Sequence, residues 1–286
     1  MFGSSAERSE AQRTPRTDTG GTPARIDSGG TPVRIAQCGH ALSFCGIAII
    51  SAYSGRMEII MKALILFSGG VDSTTCLAIA ADKYGIENII ALSVNYGQKH
   101  IRETQAAKLI AEKYGVKHRI LDLKPIFDGS DCSLLSGSGR EIPKETYAQQ
   151  LEKTGGKPVS TYVPFRNGLF LSCAASIALS EGCGEIWYGA HSDDAAGNAY
   201  PDCSSYFNDA INRAIHLGSG GQLNVVAPFI GLTKAQVVSK GLALNAPYEL
   251  TWSCYEGSDK PCGKCGTCRD REAAFAANGV KDPARA

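Results

Sequence analysis

A chain of 286 residues with a net charge of +1, from 29 Lys and Arg against 28 Asp and Glu, has room for one large α/β domain or two small ones. Near-neutral charge excludes a broad electrostatic field for nucleic acid or an acidic membrane surface. Eleven cysteines in a chain this long do not read as the disulfide framework of a small secreted domain, and they point to a reducing cytoplasm.

In chain order, the first sixty residues stand apart. They carry six arginines, no lysine, and a tandem repeat, Gly20-Gly21-Thr22-Pro23-Ala24-Arg25-Ile26 and Gly29-Gly30-Thr31-Pro32-Val33-Arg34-Ile35. Such a segment buries too little apolar area to offset its ordering entropy. The apolar run from Ala41 to Tyr53 is too short to span a bilayer. Residues 1–60 are expected to be a disordered extension, or a misassigned start ahead of Met57 or Met61. Residues 61–250 form the expected catalytic domain, and 251–286 a cysteine-bearing region.

From Lys62 the pattern alternates strand and helix. Ala63–Phe67 predicts a strand and Asp72–Tyr84 a helix with Leu77, Ile79 and Ala80 toward the sheet. Asn88–Val94 predicts a second strand, and Glu103–Tyr114 a helix closed by Gly115. Val116–Leu121 predicts a third strand, followed by a long irregular connection over Gly129–Gly156. Arg166–Leu179 reads as an apolar helix, Glu185–Gly189 as a fourth strand, and Tyr206–Leu217 as a helix. Val225–Phe229 predicts a short fifth strand, and Thr233 caps a helix through Leu244. The fold class that follows is α/β, a five-stranded parallel Rossmann-like sheet with helices on both faces. Ligands of such sheets sit beyond the carboxyl ends of the strands. That edge receives Ser68–Ser73, Asn95–His100, Gly189–Asp194 and the loop before Arg166.

The segment Phe67-Ser68-Gly69-Gly70-Val71-Asp72-Ser73-Thr74-Thr75-Cys76-Leu77 ends the first apolar run. Its glycines let the backbone approach a bulky anion, and the following helix start offers unsatisfied N–H groups. Together they make a phosphate site. The chain has neither Gly-x-x-x-x-Gly-Lys-Ser/Thr nor Gly-x-Gly-x-x-Gly, so this is neither a Walker A loop nor a dinucleotide turn.

Cys254, Cys262, Cys265 and Cys268 have metal-ligand spacing. Four thiolates close a tetrahedral Zn2+ shell with no open position, which is a structural rather than a catalytic arrangement. Gly263 and Gly266 follow ligands, where a tight knuckle lets N–H groups reach sulfur. An iron–sulfur ferredoxin run would continue Cys-x3-Cys-Pro, and here position 272 is Glu.

Four further segments supply pocket candidates: Asn95–His100, Tyr162–Asn167, Gly189–Asp194 and Tyr200–Cys203. Taken singly each has a plain reading as a solvated helix start, a surface ion pair or capping acids. Lys99 and Arg166 can neutralise polyphosphate or a substrate carboxylate. Asp193, Asp194 or Asp202 can accept from a guanidine-like base edge or help hold Mg2+. Tyr96 or Phe165 can stack on a planar ring.

Ser-Gly-Gly-x-Asp-Ser resembles the pyrophosphate loop of the ATP pyrophosphatase families. With Asn95-Tyr-Gly-Gln-Lys-His100, Tyr162-Val-Pro-Phe-Arg-Asn167, Gly189-Ala-His191, Tyr200-Pro-Asp-Cys203 and the terminal cysteines in this order, the chain resembles the QueC family of 7-cyano-7-deazaguanine synthases from Met61 to about Phe275. The resemblance implies a ligase that uses ATP with Mg2+, 7-carboxy-7-deazaguanine and ammonia in the route to queuosine or archaeosine. It implies ATP binding by Phe67–Leu77, Zn2+ on the four cysteines, and commonly a homodimer, with no direct nucleic-acid or membrane partner. Asp72, Lys99 and Arg166 are the catalytic candidates, and Tyr96, Asn167, Asp194 and Asp202 the substrate-binding ones. The sequence departs twice: Phe165 stands where many members have Gly, and Ser204 where many have Arg. A sulfurtransferase acting on tRNA would need a catalytic cysteine pair and a basic appendage, and a ligase for another carboxylated deazapurine is the remaining enzymatic alternative. A zinc-knuckle binding module without catalysis would leave the phosphate loop unused.

Overall fold

The computed structural model describes residues 61–285, except His100, Thr146 and Ser258. The expectations for 1–60, and the place of His100 at the sheet edge, lie outside the described residues. Thirteen regular elements run β1 (Ala63–Leu66), α1 (Val71–Tyr84), β2 (Ile89–Asn95), α2 (Arg102–Tyr114), β3 (Lys117–Asp122), α3 (Tyr147–Thr154), α4 (Arg166–Ser180), β4 (Glu185–Trp187), α5 (Ser192–Ala195), α6 (Ser205–Gly218), β5 (Asn224–Val226), α7 (Lys234–Ala243) and α8 (Gly266–Ala277), with short 3-10 turns between some of them.

The strands form one sheet in the order β3-β2-β1-β4-β5, parallel at every pairing. Successive strand residues face opposite sides, so a strand buried on both faces is apolar throughout. Ala63, Ile65 and Phe67 pack with Cys76, Leu77 and Ala80 of α1 and Ala107, Ile110 and Ala111 of α2. Leu64, Ile90, Leu92 and Ile186 pack on the other face with Leu171, Ala174 and Ala178 of α4 and Ile215 of α6. The chain leaves β1 toward β2 and β3 on one side, then returns across β1 to place β4 on the other. That reversal opens a crevice beyond the carboxyl ends of β1 and β4, where open α/β sheets hold ligands.

A further cluster joins α1, α7 and α8 through Val71, Ala78, Val238, Tyr248, Ala274 and Phe275. Its centre is tied by Arg271, whose guanidinium makes a two-pronged pair with Asp282 at 2.8 Å on each arm and donates to Thr251 Oγ1 at 2.7 Å and to the Tyr248 carbonyl at 3.1 Å.

Several elements differ from expectation, the short helix α5 among them. The connection over 129–156 contains α3, because Tyr147–Thr154 is free of glycine and proline once the Ser/Gly-rich part has ended. The cysteine-bearing region contains α8, whose Ala, Glu and Arg residues are strong helix formers that the cysteine spacing overshadowed in the sequence. Strands β4 and β5 are also shorter than predicted, three residues each. No helix among the described residues is long and apolar enough to cross a membrane.

Candidate active site

The chain leaves β1 through Phe67–Gly70 and enters α1 without a side-chain cap from Gly70. Ser73, in the first turn of the helix, folds back over the loop. Its Oγ accepts from the N–H groups of Ser68 and Gly69, both at 3.2 Å, while the Gly70 N–H donates to Ser68 Oγ at 3.3 Å. The two serine hydroxyls therefore hold the N–H groups that a phosphate would use. Gly69 has φ 85°, and a Cβ there would lie 2.4 Å from the Ala107 nitrogen and 2.7 Å from the Glu103 carbonyl oxygen. Only glycine permits both the left-handed turn and the contact with α2.

Four titratable groups, from α1, α7 and the capped start of α5, converge beside this loop. Lys234, first residue of α7, donates through Nζ to Asp72 Oδ2. His191, after β4, places Nε2 3.3 Å from Asp194 Oδ2 and 3.8 Å from Asp72 Oδ1. Lys234 is positioned by the reciprocal Thr233–Gln236 cap and by its own N–H, which donates to Asp193 Oδ2 at 2.8 Å. Burial works to raise the Asp72 carboxyl, but Lys234 and His191 together hold it below its ordinary value. Burial pushes Asp194 up against the opposing pull of His191 and Lys234, and burial also raises Asp270 on α8. Asp72 Oδ1 and His191 Nδ1 are buried without a hydrogen-bond partner among the described residues.

The opposite end is aromatic. The Arg166 guanidinium stands 5.6 Å over the Tyr96 ring, and Tyr96 lies 5.7 Å from Phe170 centre to centre. Burial pushes the Tyr96 hydroxyl up to about 12 and the Glu103 carboxyl up to about 7, with Arg166 opposing in both cases. Both ends belong to one cleft of about 630 Å³, whose walls include Ser68, Gly70, Asp72 and Ser73, Tyr96, Glu103, Arg166, His191, Asp194, Lys234 and Asp270.

Most of the site residues expected from sequence meet here, and several do not. Phe67, Val71, Asn167 and Cys203 are in the wall with those just named. Thr75, Cys76 and Leu77 instead face the core, with Thr75 Oγ1 2.7 Å from Tyr248 Oη. Helical period explains the split: only the first turn of α1 looks along the sheet edge. Lys99 is not in the wall; its Nζ donates to the Arg140 carbonyl at 2.5 Å at the exposed surface. Asp202 is also outside the wall: its Oδ2 accepts from the Asn167 N–H at 2.8 Å, and Asn167 Nδ2 donates back to the Asp202 carbonyl at 3.0 Å. This exchange fixes the first turn of α4 and thereby aims Arg166. Phe165 caps α4 at φ 51°, a left-handed conformation that suits glycine, and its ring is exposed against Phe207 rather than in the cleft. Ser204 caps α6 by accepting from the Phe207 N–H at 3.2 Å.

The sequence assigns no role to Lys234, Glu103, Asp270 or His191. For Lys234 a signal was present: it directly follows the Thr233 cap, so it opens a helix at the ligand-bearing edge of the sheet. Glu103 and Asp270 sit inside ordinary helical patterns and carry no local mark.

The four cysteines come together as expected, with every ligand sulfur within 4.8 Å of the others. Tetrahedral thiolate sites with bonds of about 2.3 Å have sulfurs about 3.8 Å apart, so the donors fit a single ion after small adjustments. Cys254 Sγ accepts from the N–H groups of Glu256 and Cys262, both at 3.3 Å. Cys262 Sγ accepts from Lys264 at 3.4 Å and Cys265 at 3.3 Å. The N–H groups at Cys262 thus come from the second and third residues after it, one step beyond Gly263. Cys265 caps α8 and Cys268 lies in its first turn, so the knuckle anchors the helix that brings Asp270 to the cleft.

Residues 62–279 match the family model described as queuosine biosynthesis protein QueC. A 7-cyano-7-deazaguanine synthase of Archaeoglobus fulgidus is 43% identical over 224 residues, which is 78% of this chain and 89% of that one. The synthase of Koribacter versatilis is 42% identical over 224 residues, covering 78% and 92%, and that of Marinobacter nauticus 38% over 222 residues, covering 78% and 96%. Among solved structures, an NMN synthetase of Francisella tularensis aligns with a TM-score of 0.43 at 16% identity over 78% of this chain and 79% of that one. With the phosphate loop, the cleft and the cysteine knuckle all inside the matched span, this chain belongs to the QueC family.

Proposed function

We propose that the chain is a ligase that converts 7-carboxy-7-deazaguanine and ammonia to 7-cyano-7-deazaguanine at the expense of ATP. The observation that carries this reading is the single cleft in which a phosphate loop faces an arginine–aromatic end. A carboxylate is anionic and lacks a leaving group, so it must be activated before ammonia can add. One carboxylate oxygen attacks the α-phosphorus, the bond to the bridging oxygen breaks, and pyrophosphate leaves. Ammonia attacks the acyl carbon of the adenylate, AMP departs with the carboxyl oxygen, and nitrogen loses a proton to give the amide. The amide oxygen then attacks the α-phosphorus of a second ATP, a second pyrophosphate leaves, and departure of AMP with that oxygen and loss of both N–H protons leave the nitrile.

The residues divide this work by place. Ser68, Ser73 and the loop N–H groups hold the pyrophosphate, and Lys234 offsets the negative charge that grows there. Arg166 holds the substrate carboxylate against the loop, and proximity supplies most of the remaining rate. Asp72, with one carboxylate oxygen unpartnered, is the ligand this site offers to the Mg2+ of ATP. That ion, when bound, neutralises phosphate charge. Zn2+ fits the closed four-thiolate set and stabilises α8 rather than taking part in chemistry. The reading places the enzyme in the cytoplasm, where ATP and reduced thiols coexist, as a homodimer, with residues 61–250 as its catalytic domain and 251–286 as its metal-binding region.

One incubation tests it: protein, ATP, Mg2+, 7-carboxy-7-deazaguanine and ammonium, with products followed by mass spectrometry. Nitrile and AMP are expected. ADP as the spent nucleotide, or sulfur transfer in place of nitrogen, would refute the proposal.

A further inference from the structure

The acids of the cleft differ in what already holds them. Asp72 is paired with Lys234, and Asp194 with His191. Asp193 accepts from the Lys234 N–H, and Asp202, behind the wall, accepts from the Asn167 N–H. Asp270 stands among the same charged groups at the phosphate end, where Lys234, His191, Asp193 and Asp194 set its surroundings. Glu103 alone lies at the aromatic end, within the influence of Arg166 and Tyr96, and its carboxyl makes no hydrogen bond or ion pair with any described residue. Glu103 is half-buried in the cleft wall, and its carboxyl oxygens keep access to the cleft. Its backbone is also fixed with care: the Glu103 carbonyl packs on Gly69, so the phosphate loop and this side chain are held in one rigid frame.

We propose that Glu103 reads the heterocycle, accepting from the ring N1–H and the exocyclic amino group of a 7-deazaguanine, while Tyr96 and Phe170 line the cleft beside it. The inference rests on the function proposed above and names the recognition element for its substrate. The chemistry is complementary: those two N–H groups point the same way, like one edge of a guanidinium, and a carboxylate presents two parallel acceptors and no donor. The arrangement leaves Arg166 for the substrate carboxylate. It also separates the roles of the acids, since Asp72 and Asp194 pair with Lys234 and His191 while this one is held by the ligand. A bidentate carboxylate-to-base contact discriminates by roughly 10- to 100-fold.

The test is a cycle between side chain and ligand. Binding of 7-carboxy-7-deazaguanine and of its analogue lacking the exocyclic amino group is measured by calorimetry on the intact protein, for the wild type and for Glu103→Gln and Glu103→Asp. The wild type should prefer the amino compound by roughly tenfold or more. Glu103→Gln should weaken that compound by roughly 10- to 100-fold and bind both ligands alike, because an amide sets a donor against a donor. Glu103→Asp should weaken binding while keeping the preference, which a merely structural role would not do. ATP affinity should be unchanged in both variants. A Glu103→Gln protein that keeps the amino preference, or loses kcat with KM and preference intact, overturns the inference and makes Glu103 a base instead. A wild type that binds with this preference but releases no AMP would sink the enzymatic reading and leave the edge-reading standing.

Discussion

At the phosphate end of the cleft, Asp72, His191, Asp194 and Lys234 answer one another's charge before any ligand arrives, whereas at the aromatic end Glu103 has no partner among the described residues and Arg166 lies over a ring. In the proposed function the first end is preorganised around a cosubstrate of dense charge, with Asp72 Oδ1 and His191 Nδ1 still without a hydrogen-bond partner among the described residues. In the proposed function the second end takes the flat heterocycle, with Glu103 in the cleft wall and without an ion-pair partner among the described residues. Preorganised charge suits transition-state stabilisation, and unsatisfied groups suit discrimination, because an analogue that fails to satisfy them is penalised.

The largest effect is expected at the phosphate end. Asp72→Ala should lower AMP formation by roughly 1,000-fold or more while metal content stays that of the wild type. Unchanged turnover would remove Asp72 from the mechanism and dissolve the contrast. Arg271→Ala leaves Asp282 buried without its partner, both side chains being about 5% exposed or less, and should cost about 3–5 kcal/mol of stability in a denaturant titration. Because Arg271 braces Tyr248, which touches Thr75 in α1, the surviving fold should lose ATP affinity more than heterocycle affinity.

Lys234→Met should lower kcat/KM by roughly 100-fold, and it should also release the Asp72 carboxyl to titrate nearer its ordinary value, since the cation that opposes burial is gone. A carboxyl signal in carbon-detected NMR that does not move would break the pairing. At the aromatic end the expected sign is opposite. Burial lifts Glu103 from an ordinary 4.5 to about 7, so its contribution to stability is complete below about pH 4.5 and is lost as pH rises through about 7. Glu103→Gln, which does not titrate, should therefore raise stability by less than about 1 kcal/mol above pH 7, after solvent screening, and leave it nearly unchanged at pH 4. Stability gained together with lost recognition is the mark of a group kept for function. Smallest of all, Phe165→Gly should relieve the left-handed strain at φ 51° and, after the entropy glycine adds to the unfolded chain, stabilise by about 0.5 kcal/mol in thermal melts.

Features that depend on neighbours in the chain were legible before folding. Strand, glycine turn and helix start at 63–77 occupy consecutive residues, so the phosphate loop could be read directly, and the cysteine spacing carried the knuckle in the same way. The order of alternating elements was equally visible, because hydrophobic period is local. Lys99 shows where this reading ended. It lies in a suggestive motif, yet the loop after β2 turns its ammonium to the Arg140 carbonyl at the surface.

What the tertiary structure decided was which distant side chains share a wall. Lys234 reaches Asp72 across 162 positions because β5 returns beside β4 and α7 starts at that edge. Glu103 comes to the cleft because Gly69 lets α2 pack directly on the phosphate loop. Asp202 drops behind the wall because its carboxylate is taken by the first turn of α4. A hydrogen-bonded turn is set by the few residues that form it, but the surroundings of a charge are set by everything that packs around it, and no stretch of sequence contains that information.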